Sequence, residues 1–153
     1  MIKVNVEINS QLWKKKITNP KEYFKTKLKK INSINKFFNK KNITFTILLT
    51  NSSHMKKLNK KFRKINKPTD VLSFPFFSSQ YLKNLKEKKI YLGDIAASYE
   101  IIKSREKKSD FIKEFDKVWI HGLLHLVGYN HTKDREYFKM LKVERKFLNS
   151  IYN

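Results

Sequence analysis

Three of the chain's four histidines fall in the run His121-Gly-Leu-Leu-His125-Leu-Val-Gly128-Tyr-Asn-His131. On a helix, residues four apart project from one face a turn apart, so His121 and His125 can bite a single ion. Gly128 is placed to end that helix in a left-handed residue and turn the chain, which lets His131 reach the same ion from a loop. Three neutral imidazoles leave one tetrahedral position open, which is the arrangement of a catalytic rather than a structural zinc site. One Zn2+ per chain is the expected cofactor, and the same ligands would also accept nickel, copper or iron(II). His54 has no such company and reads as a surface or capping residue.

The i, i+4, i+10 spacing also occurs in metzincin proteases, where a glutamate after the first histidine is the general base. Gly122 occupies that position here, so a proteolytic reading lacks its base. The chain has no cysteine, which excludes disulfides, thiolate zinc sites, iron-sulfur clusters and a cysteine nucleophile. Lysine and arginine total 35 against 13 acids, a formal net charge of +22. That excess suits a polyanionic partner, but four arginines among so many lysines also fit the compositional drift of AT-rich coding DNA.

Positioning these residues requires a folded core, and 153 residues with 40% apolar side chains can build one. Met1 to Ser10 alternates apolar and polar residues, so a strand is expected there rather than a signal peptide, and no stretch suits a membrane helix. A helix should follow Pro20 and continue through Phe38, and a second alternating strand spans Ile43 to Leu49. Met55, Leu58 and Phe62 mark a helix stopped by Pro68. Val71 to Phe74 and Ile90 to Ile95 read as strands, the latter interrupted by Gly93, with an irregular stretch between them. Helices follow from Tyr99, from Phe111 to Val127, and from Thr132 or Asp134 onward. The expectation is one α+β domain over residues 1–153, a mixed sheet of about four strands packed with about five helices. Its metal site lies at the end of a helix in the C-terminal half.

The run from His121 to His131 resembles the signature of the YbeY family, a histidine triad of the form HGxLHLxGYDH. Leu58-Asn59 with Arg63, followed by Pro68-Thr69-Asp70-Val71-Leu72-Ser73-Phe74-Pro75, resembles the family's second stretch. Leu92-Gly93-Asp94-Ile95 resembles the third, and Glu136 with Met140 fits the tail after the triad. The blocks lie in the family's order and cover about residues 50 to 145. The resemblance implies a zinc-dependent endoribonuclease specific for single-stranded RNA, acting in 16S rRNA 3′-end maturation and ribosome quality control. It implies His121, His125 and His131 as zinc ligands, Arg63 as the catalytic arginine, and a cytoplasmic or organellar location. Its implied partners are rRNA of the small ribosomal subunit and small-subunit assembly proteins. The family usually has aspartate where this chain has Asn130.

Read as chemistry, zinc would acidify a water and polarise a phosphate while the planar fork of Arg63 steadies the developing charge. Lys56, Lys60, Lys64 and Lys67 lie near Arg63 and either grip RNA phosphates or form an ordinary solvated face. Asp70 and Asp94 could act as bases or merely shape turns, and Ser73 and Met140 read as structural. Two other functions stay open: a ribosome-associated RNA-binding factor with little intrinsic cleavage, and a metallohydrolase of another substrate.

Overall fold

The computed structural model describes residues 1–153. Strand β1 (Ile2–Ile8) follows the opening alternation, and a 3-10 turn at Gln11–Lys15 then buries Trp13, whose indole N–H donates to the Thr50 carbonyl at 2.8 Å. The expected helix after Pro20 is two helices, α1 (Pro20–Ile34) and α2 (Lys36–Lys40). Apolar spacing runs unbroken through Phe38, yet Asn35 is extended and its side chain accepts from the N–H groups of Phe37 and Phe38. A local cap thus competes successfully with continuation.

Strand β2 (Asn42–Thr50) leads into α3 (Ser52–Arg63), capped by Asn51, whose side chain accepts from the His54 N–H at 2.8 Å. Pro68 does not stop α3. The helix ends four residues earlier, where Lys64 turns left-handed at φ 61° and the buried Asn59 donates to the Lys67 carbonyl at 2.8 Å. Then come β3 (Val71–Pro75), α4 (Ser79–Asn84), β4 (Lys89–Ser98), α5 (Tyr99–Ser104), α6 (Phe111–Leu126) and α7 (Asp134–Tyr152). Seven α-helices stand where periodicity shows five. The additions are α2, which the Asn35 cap splits from α1, and α4, a six-residue helix within the stretch that reads as irregular.

The sheet has the order β1-β2-β4-β3, with the first three strands parallel and β3 antiparallel on the edge. Thr44 pairs with Tyr91 but Thr46 with Asp94, so Leu92 and Gly93 together oppose Phe45 in the bulge that Gly93 signals. Ile43, Phe45, Ile47 and Leu49 turn to a core shared with α1, α6 and α7. On the other face α3 covers Leu72 and Ala96 through Met55. Rings of Trp13, Phe24, Phe115 and Trp119 interlock at centroid distances of 4.8, 5.9 and 5.4 Å. Burial of each such ring stabilises by about 2–3 kcal/mol, which fixes α6 against the sheet.

A fully buried carboxylate ties three helices together. Asp116 of α6 is fully buried and accepts from the Tyr23 hydroxyl and Lys27 of α1, the Tyr152 hydroxyl of α7, and the Trp119 indole N–H. Burial and this carboxylate together raise the Tyr23 and Tyr152 hydroxyls above their ordinary pKa, so both remain donors. No helix is long and apolar enough to cross a membrane.

Candidate metal centre and cleft

Helix α6 buries Phe115, Val118, Trp119 and Leu123, and leaves His121 and His125 half-buried beside β3. Its close seat on the sheet is made by Gly122. A Cβ there would lie 3.1 Å from Cγ2 of Ile95 and 3.2 Å from Oγ of Ser73, and that hydroxyl donates to the Gly122 carbonyl at 3.2 Å. The position that holds a metzincin's general base therefore faces the sheet and has no room for a carboxylate.

The helix ends as Gly128 predicts. At φ +94°, its N–H bonds the His125 carbonyl and the Tyr129 N–H bonds the Leu124 carbonyl, both at 3.0 Å, the two bonds of a Schellman turn. The same turn brings the Tyr129 carbonyl 3.0 Å from Nδ1 of His125. A carbonyl only accepts, so Nδ1 carries the proton and Nε2 offers its lone pair. That Nε2 lies 3.0 Å from Nε2 of His121, and ligand nitrogens of His121, His125 and His131 all fall within 4.8 Å of one another. Bonds of 2.0–2.1 Å to a tetrahedral ion would separate its nitrogens by about 3.3 Å, which small rotations of the exposed His131 accommodate.

The surroundings suit a metal as well. Burial, reinforced by the neighbouring His121 and His131, holds His125 down to about 4. Its imidazole is therefore neutral and free to ligate across the neutral range. Nδ1 of His121 faces the carboxylate of Glu144 on α7 at 3.6 Å, just beyond hydrogen-bond distance and on the side from which a carboxylate orients a metal-bound histidine.

These groups open onto a cleft of about 780 Å³ that Arg63 also lines. Arg63 is exposed at the end of α3 and its guanidinium pairs with no carboxylate, whereas Arg105 is engaged by Asp70 at 2.8 Å. Asp70 lines the cleft with both oxygens occupied, one by Arg105 and one by the Val71 N–H at 2.7 Å. Asp94 lies outside it: it accepts from the Tyr91 hydroxyl and lines a groove on the other face of the sheet together with His54. Lys56, Lys60, Lys64 and Lys67 are exposed along α3 and its exit, and none lines the cleft. Met140 is buried in the core.

Comparison with known proteins gives the family and the fold. The profile of the family described as Endoribonuclease YbeY matches residues 7–152. The chain belongs to that family. An endoribonuclease YbeY of Pelagibacter ubique is 46% identical over 146 residues, which cover 94% of this chain and 92% of the relative. That of Buchnera aphidicola subsp. Acyrthosiphon pisum is 38% identical, covering 96% and 92%. A solution structure of a Thermotoga maritima protein overlays 99% of this chain and 89% of its own with a TM-score of 0.63. At 22% identity that likeness concerns the fold.

Asn130 departs from the YbeY signature, and the structure shows what its side chain does. Its Oδ1 accepts from the His131 N–H at 2.8 Å, a turn-stabilising role open to asparagine and aspartate alike. Thr132 donates to Glu136 at 3.1 Å and ties the same loop to α7. Glu144 and the Tyr129 carbonyl are absent from the sequence reading. Glu144 could have been noticed, because it falls four residues after Met140 and three before Phe147, an acid on the buried stripe of α7. The carbonyl carries no side-chain signal at all.

Proposed function

We propose that this chain is a zinc-dependent endoribonuclease that cuts single-stranded RNA, and that it acts in the cytoplasm on the 3′ end of 16S rRNA and in ribosome quality control. The observation that carries this reading is the meeting of three ligand imidazoles and an unpaired Arg63 in one cleft. His121, His125 and His131 would hold the zinc, which would supply a Lewis acid and lower the pKa of water toward neutrality. The chain's own groups do the rest. Tyr129 and Glu144 orient the imidazoles, and the guanidinium fork of Arg63 grips the phosphodiester and steadies charge that develops on its oxygens. Arg105 neutralises Asp70, so the cleft does not repel the strand. The family supplies the ribosomal context, with small-subunit rRNA and assembly proteins as partners.

Metal analysis of the purified protein, coupled to cleavage of single-stranded and duplex RNA, tests the reading. The wild type should hold about one zinc and cut only the single strand, and His125→Ala should lose metal and activity together. Arg63→Ala should keep its zinc and lose roughly 10²–10³ in kcat. A 2′,3′-cyclic phosphate on the product would assign attack to the ribose 2′-OH. Zinc present with wild-type cleavage no greater than that of either variant would overturn the enzyme and favour the RNA-binding factor.

A further inference from the structure

Phe76 is the most exposed large hydrophobic side chain of the molecule, at 67%, and it lines the cleft that holds the histidines and Arg63. Its backbone is nevertheless fixed. The Phe76 N–H donates to the Leu92 carbonyl at 2.8 Å, one step beyond the last β3–β4 pair, Pro75 with Gly93. Gly93 permits that approach, since at φ +131° a Cβ would fall 2.1 Å from the Phe74 carbonyl oxygen and 2.9 Å from the Phe76 nitrogen.

The ring is also held from the side. It meets Phe77 at 4.9 Å and Tyr91 at 6.1 Å, both at steep angles, and Phe77 in turn stacks on Tyr81 at 5.1 Å. This aromatic shelf is locked to the metal loop, because Ser79 closes against Gly128 so tightly that a Cβ on the glycine would lie 2.5 Å from that of the serine. An exposed apolar ring held at a fixed place on the wall of a cleft that Arg63 and the three histidines also line is a feature that solvation alone does not favour.

We propose that Phe76 is a base-stacking subsite: an unpaired nucleobase lies on its ring while the neighbouring phosphodiester sits between Arg63 and the histidines. The inference rests on the ribonuclease reading and deepens it. Every base has a π face, so the contact is indifferent to sequence. Bases in a duplex are already stacked and paired and cannot splay onto a side chain, so the subsite accepts single strands and rejects helices. Single-strand specificity then has a named cause in the cleft wall.

A 2′-O-methyl oligonucleotide carrying 2-aminopurine, titrated with the zinc-loaded full-length protein, reads stacking directly because a stacked aminopurine loses fluorescence. The wild type should quench the probe. Phe76→Ala should bind roughly tenfold more weakly and lose most of the quench, and Phe76→Trp should restore both. Turnover of unmodified RNA by Phe76→Ala should show KM raised by a similar factor. Equal affinity and quench in Phe76→Ala and wild type overturn the subsite and turn attention to a protein partner for the shelf. A Phe76→Leu variant that matches the wild type overturns it too, since an aliphatic chain offers no π face. The ribonuclease reading fails separately: a wild type that quenches through Phe76 yet cleaves no RNA keeps the subsite and loses the enzyme.

Discussion

The carboxylate of Glu144 and the carbonyl of Tyr129 each face the Nδ1 of a histidine of the triad, at 3.6 and 3.0 Å. A partner in that place fixes the ring's orientation and tautomer and strengthens the opposite nitrogen as a ligand. Of the two, only Glu144 can be altered without touching the backbone. Glu144→Gln keeps the shape and removes the charge, and it should weaken zinc binding by about 10- to 100-fold. Competition with a chromophoric chelator measures that change directly. The melting temperature of the chelator-stripped variant should stay within about 2 °C of the stripped parent, because a half-exposed pair of this length contributes little to folding. Unchanged zinc affinity would reduce Glu144 to a neighbour of the site.

At the level of elements, the parts legible in the sequence are those decided locally. Alternation marks β1 and β2, the i, i+4 histidines mark the face of α6 on which the triad gathers, and Gly128 marks the turn that returns His131. The break at Asn35 is not legible, because the apolar period runs on through it. The role of Asp116 is not legible either, because its partners Tyr23, Lys27 and Tyr152 lie on α1 and α7, far along the chain, and nothing near it announces them. Yet this one carboxylate joins α1, α6 and α7 and so holds the helix that carries His121 and His125. Asp116→Ala leaves Lys27, the buried Trp119 indole and the Tyr23 and Tyr152 hydroxyls without their acceptor, and it should destabilise by about 3–5 kcal/mol. For a chain of this size the melting temperature should fall by roughly 10 °C. Tyr152→Phe, which removes a single donor, should cost about 1 kcal/mol. Thermal melts of the two variants that proved equal would show the node to be less than the sum of its bonds.

Over the whole molecule, the +22 charge does not gather in the cleft. Every helix from α1 to α7 bears lysine, whereas the 17 residues lining the cleft include Arg63 and no lysine. Charge spread in this way draws RNA toward all faces, but a short strand seated at the histidines can neutralise only the cations beside it. Salt dependence therefore counts local contacts, not net charge. With about four phosphates engaged, the log-log slope of affinity against salt for a short single strand should be near −3. Lys60 and Lys64 flank Arg63 at the end of α3, so replacing both by glutamine should flatten that slope by about 1.4. Lys21 and Lys25 lie on α1, which packs over β1 at the sheet edge opposite β3, and replacing them should leave the slope unchanged. Measured by fluorescence anisotropy on one oligonucleotide, the two double variants separate a phosphate-binding flank from lysine placed by composition. Equal slopes for both would assign the lysines of α3 to composition and leave Arg63 as the only cation the substrate needs.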